Sequence, residues 1–138
     1  MPVAGRKPKP AGQAVNRSAP THDWVEVENV PFGGGRKLPS KRSNGKQWTA
    51  RIRDKWDSWR RMPHAKLWQE SEWQFALDTI ELAAQFHDGD PKVAVELRNR
   101  ERVLGTTTDF LRDLRIRYVE PQPVQIAEVH DIDDYRDL

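Results

Sequence analysis

Lysine and arginine are the residues of this chain whose number and spacing point most directly to chemistry. Through Arg61 there are 14 of them against 5 acids, a net +9, whereas the remainder carries 9 against 16, a net −7. The overall charge of +2 hides this division. Arg6, Lys7, Lys9 and Arg17 stand among Pro, Gly and Ala, and Arg36, Lys37, Lys41, Arg42 and Lys46 follow among Pro39, Ser40, Ser43, Asn44 and Gly45. A third group, Arg51, Arg53, Lys55, Arg60 and Arg61, lies where the apolar spacing becomes helical. Cations at this density displace counterions from nucleic-acid phosphates without any reading of sequence. Two oppositely charged solvated faces are the plainer explanation, and composition alone does not separate the two.

Other chemistries find less support. His22, His64, His87 and His130 are scattered without metal-ligand spacing, and His87 with Asp88 and Asp90 fits capping and turn formation better than a metal site. Paired carboxylates are abundant near the C-terminus, where a flexible segment would not hold a general acid and base in register. Gly33, Gly34 and Gly35 lack the strand before them and the Gly-Lys-Ser/Thr after them that a phosphate-cradling loop requires. With no cysteine, disulfides and thiolate chemistry are excluded. The chain is expected to be non-catalytic and to need no cofactor and no metal. No apolar run approaches the roughly 20 residues that cross a bilayer, so no membrane association is expected.

The elements that would position the cations follow from apolar spacing. At 138 residues one core is the limit. Residues 1–46 read as a flexible basic arm and linker, with a short apolar patch at 24–32, formed by Trp24, Val25, Val27, Val30 and Phe32, that docks on a neighbouring helix. Residues 47–119 read as an all-α domain of three to four helices with a central helical hairpin. Trp48, Ile52, Trp56 and Trp59 recur within one arc of a helix from Gln47 to Met62, stopped by Pro63. A second helix runs from Ser71, capped by a Ser71/Gln74 box, to His87; Asp90 and Pro91 open a third that ends at Gly105. Thr107 or Thr108 caps a fourth, with Phe110, Leu111, Leu114 and Tyr118 on its apolar side. Six tryptophans invite a stacking role on single strands, but four of them fall on the expected buried stripes. Residues 120–138 read as an acidic tail.

Several stretches are also distinctive as text. WDSWRRMPHAKLW from Trp56 to Trp68, ESEWQFALDT from Glu70 to Thr79, FHDGD from Phe86 to Asp90, and ELRNRERVLGTTTDFLRDLRIRYV from Glu96 to Val119 resemble the small terminase subunits of tailed phages that infect actinobacteria. The likeness covers about Trp24 to Val119, and departs from the pattern at Phe110 and Leu111, where basic or small residues are expected. It implies a homo-oligomer, in ring form, that recognises double-stranded viral DNA in the host cytoplasm. It also implies delivery of that DNA to a large terminase subunit carrying the ATPase and nuclease. A transcriptional regulator with its second or third helix in the major groove is the alternative, disfavoured by the few basic residues of the second helix.

The acidic tail is unsuited to DNA, and its Ile132, Tyr135 and Leu138 are the candidate contacts to a partner, with the large subunit the expected one. Truncation after Val119 is expected to leave folding, assembly and DNA binding intact while abolishing stimulation of the large subunit. Measured separately, loss of assembly instead would mean that the tail packs into the oligomer.

Overall fold

The structure, a computed structural model, describes residues 23–123. Its elements run β1 (Val25–Glu28), α1 (Ala50–Arg60), α2 (Glu70–His87), α3 (Ala94–Leu104), α4 (Thr108–Asp113) and β2 (Ile116–Val119). Single 3-10 turns at Pro63–Leu67 and Pro91–Val93 lead into α2 and α3.

Helix boundaries follow local hydrogen-bonding chemistry. Thr49 keeps an extended backbone and its Oγ1 accepts the Ile52 N–H, so α1 begins at Ala50 and not at Gln47. At α2 the capping carboxylate is Glu72, which accepts from the Gln69 N–H at 2.9 Å; the helix therefore starts one residue before the expected Ser71. Asp90 accepts from the Lys92 N–H ahead of Pro91, but the first turn is 3-10 and α3 proper begins at Ala94. Gly105 closes α3 at φ +75°, donating to the Glu101 carbonyl, a conformation in which any Cβ is strained.

The expected all-α class needs correction, because the mostly helical fold also contains a two-stranded parallel sheet. The fourth helix does not reach Tyr118. It ends at Asp113, and Arg115 at φ +58° turns the chain into β2. There Val25 pairs with Ile116, Glu26 with Arg117, Val27 with Tyr118 and Glu28 with Val119. Parallel strands need a long crossover, and all four helices supply it here. The patch at 24–32 thus divides: its first half is strand, and its last residue, Phe32, stacks on Trp73 with ring centroids 6.4 Å apart.

The core sits where α1 crosses α2, with α3 closing one side. Ile52, Trp56 and Trp59 from α1 meet Trp73, Ala76, Ile80, Ala83 and Ala84 from α2, and Leu97 and Leu104 complete the set. The Trp56 and Trp73 rings meet edge to face at 6.3 Å, and the Trp68 and Trp73 rings likewise at 4.8 Å. Small alanines on α2 make room for these rings. Trp48 is buried too, though it precedes α1, and its indole N–H donates to the Pro39 carbonyl at 2.8 Å. The Trp56 indole N–H does the same to the Arg36 carbonyl at 2.8 Å. These bonds fix the 36–39 stretch, which composition presents as linker, against the helices.

A buried histidine joins the sheet to the helices. The Nε2–H of His64 donates to the Leu104 carbonyl at 2.7 Å, which leaves Nδ1 to accept the Tyr118 hydroxyl at 2.6 Å. Burial pushes the imidazole below its ordinary pKa and the Tyr118 hydroxyl above its own, so both are neutral, as this bonding requires.

The Trp56 ring is 1% exposed at the centre of this packing. Trp56→Ala is expected to destabilise the fold by about 3–5 kcal/mol in chemical denaturation. Near-native stability of that variant would place the ring outside the core.

Candidate nucleic-acid interface

The buried arc of α1 leaves its cations in two rows, one along each flank of the helix. Arg53 and Arg60 lie on the flank facing the 36–39 stretch, where with Lys37, Leu38, Trp56 and Asp57 they border a shallow depression of about 210 Å³. Arg51 and Lys55 lie on the other flank, facing the end of α2 and the side of α3. A straight helix separates residues i and i+2 by about 200°, so Arg51 and Arg53 must diverge once Ile52 is buried between them.

The structure sorts the fourteen cations selected from sequence into different situations. Arg6, Lys7, Lys9 and Arg17 lie outside the described residues, as do Ile132, Tyr135 and Leu138 of the tail. Lys37, Lys41, Lys46, Arg51, Arg53 and Arg61 are exposed. Arg36 is engaged by the Glu70 carboxylate through both of its terminal nitrogens. Arg60 bonds Asp57 at 2.8 Å, Arg53 donates to the Trp48 carbonyl at 3.0 Å, and Lys55 approaches Glu101 at 3.8 Å.

Arg42 is set apart from the rest. It is 8% exposed, and its guanidinium meets the Asp88 carboxylate at 2.7 Å, immediately beyond α2. Beside it the Ser43 N–H donates to Glu81 at 2.8 Å, so the Lys41–Lys46 turn is clasped to α2 at two points. A guanidinium enclosed in this way fastens the turn and has no face left for a phosphate. Sequence spacing gave no sign of this, because Asp88 is distant along the chain.

Two basic-site residues were not selected from sequence. Arg98 of α3 and His87 at the end of α2 face the same depression as Arg51 and Lys55. The only local cue was the proximity of His87 to a helix C-terminus; α3 had to fold back before Arg98 could join it.

Among the described residues no group of histidines and acids could hold a metal ion, and no helix is long and apolar enough to cross a membrane. A family model described as phage terminase small subunit matches residues 3–138, nearly the whole chain. The chain belongs to that family. No curated protein and no solved structure matches it. Membership assigns this small-subunit chain a role in phage packaging.

Because Arg42 is buried and paired, it is expected to act on stability and not on binding. Arg42→Ala should lower stability by about 1–3 kcal/mol, the order of a lost charge-assisted bond whose partner is part-exposed. DNA affinity, measured well below the melting temperature, should equal that of the unaltered chain; a loss of affinity there would return Arg42 to the interface.

Proposed function

We propose that this small terminase subunit is the non-catalytic, DNA-recognising component of a packaging machine, presenting double-stranded viral DNA to the large subunit that carries the ATPase and nuclease. Family membership over residues 3–138 is the observation that carries the reading. The charge division supports it: a front half at net +9 suits a polyanion, and a back half at net −7 suits a basic protein partner. Exposed Lys37, Lys41, Lys46, Arg51, Arg53 and Arg61 add to the charge that Arg6, Lys7, Lys9 and Arg17 carry in the sequence.

The working form is a homo-oligomeric ring in the host cytoplasm, consistent with closed symmetry as the common solution for repeated subunits. In a ring each cationic face is repeated around the axis, so modest contacts per subunit sum to firm, sequence-tolerant binding. Ile132, Tyr135 and Leu138 are the proposed contacts to the large subunit, brought near its surface by the surrounding acids.

The test is a salt titration of duplex DNA binding with the full chain. Affinity should fall linearly on a log-log plot, and Lys37→Gln with Arg53→Gln should reduce the magnitude of the slope by about 2 per protomer in contact, with little change in melting temperature. Absence of salt-dependent binding by the unaltered chain would sink the reading.

A further inference from the structure

The concave surface where the end of α2 meets α1 and α3 carries more positive charge than the fold requires. A depression of about 390 Å³ is bordered by Arg51 and Lys55 of α1, Phe86 and His87 of α2, and Arg98 and Glu101 of α3. Ala94 and Leu97 form part of its wall, and an apolar wall strengthens any charge interaction made against it. Arg51 and Lys55 are one helical turn apart, a like-charge spacing that costs α1 stability unless an anion offsets it.

The acids nearby do little to offset it. Neither Arg51 nor Arg98 has an ion-pair partner among the described residues. Glu101 stands 3.8 Å from Lys55 and accepts the Thr106 hydroxyl at 3.4 Å. Asp88, next to His87, is held by Arg42 at 2.7 Å. The His87 imidazole registers this surplus: burial first, then the fields of Arg51 and Lys55, push it below its ordinary pKa, against the weaker opposing pull of Asp88 and Glu101.

We propose that this cleft is a site for a backbone phosphate of duplex DNA, gripped by Arg51, Lys55 and Arg98, with His87 joining as a further donor when it is protonated. The proposal deepens the DNA-binding reading and rests on it. A phosphodiester fits better than a nucleotide, since Phe86 is the only aromatic ring besides His87 on the border and no slot for a base accompanies it. Glu101 is the internal competitor, holding Lys55 while the cleft is empty.

Proton linkage follows from the arrangement. A bound phosphate offsets the fields of Arg51 and Lys55 and favours charged His87, so its pKa rises on binding. DNA affinity is then flat at alkaline pH, increases as pH falls through the bound-state value, and levels off below the free-state value, which lies under about 6.5.

The full chain, duplex DNA and three variants test this by fluorescence anisotropy at pH 8 and pH 6 over a range of salt. Arg98→Gln should weaken binding and lower the slope magnitude by about 1 per protomer in contact. Glu101→Gln should tighten binding, an effect that partial unfolding would not imitate. His87→Gln should remove the gain seen at pH 6, and the His87 ring resonances of the unaltered chain should report a higher pKa with DNA than without. Salt-dependent binding by the unaltered chain with all three variants indistinguishable from it would overturn the cleft and spare the broader reading. No binding by the unaltered chain would end both. A His87 response to inorganic phosphate but not to DNA would make this a free-anion site and overturn the assignment to duplex.

Discussion

Two buried indole N–H groups constrain this fold more than any other feature. An indole can donate but not accept, and in an apolar interior an unmet donor costs about 1–3 kcal/mol. Neither Trp48 nor Trp56 finds its acceptor on a neighbouring helix; both take backbone carbonyls, from Pro39 and Arg36, in a stretch with no regular structure of its own. The tryptophans can be buried only if that stretch lies across α1. Once it does, Phe32 reaches Trp73, and β1 is brought towards β2. Close approach at the same place leaves no room at Gly35, where a Cβ would overlap the Arg60 carbonyl.

The same wrapping decides which cations remain available to a ligand. A run of lysines and arginines looks uniform along the chain, yet folding divides it. Arg42 becomes an internal fastener for Asp88, Arg36 is taken by Glu70, and Arg53 and Arg51 part to opposite flanks because Ile52 between them is buried. Charge density along the chain therefore overstates the cationic surface of the middle segment, while Arg98, from the acidic half of the sequence, is returned to the basic side by the α2–α3 hairpin.

Two histidines with depressed pKa values behave differently for a geometric reason. His64 is enclosed with both ring nitrogens engaged, so protonation would replace the accepted Tyr118 hydrogen bond with two opposed donors. Its contribution to stability is fully present above its unfolded value near 6.5 and is lost as pH falls through the lower folded value. His87 is only partly covered and borders an open depression, where an incoming anion would offset the Arg51 and Lys55 fields that add to burial in lowering its pKa. Acid thus works against the packing at one histidine and in favour of anion contact at the other.

Local chemistry made much of the helical framework legible in the sequence. The arc of Ile52, Trp56 and Trp59, the Gly105 stop and the cap at Thr107, one of the two threonines the spacing offers, depend on residues within a turn or two of one another; the Asp90–Pro91 entry also forms, though as a 3-10 turn ahead of α3. The quoted stretches from Trp56 to Val119 likewise pointed to the family that residues 3–138 match. The strands were not legible. Val-Glu-Val-Glu and Ile-Arg-Tyr-Val alternate as strands do, but each is four residues long, and a parallel pair forms only when its partner arrives from the other end of the described chain. The roles of Arg42, Arg98 and His87 were hidden for the same reason: what each faces belongs to another element. Local sequence set the helix faces, the Gly105 stop and the sign of the charge in each half. Tertiary structure alone decided which charges are buried and which converge, because burial and convergence are set by contacts between segments remote along the chain.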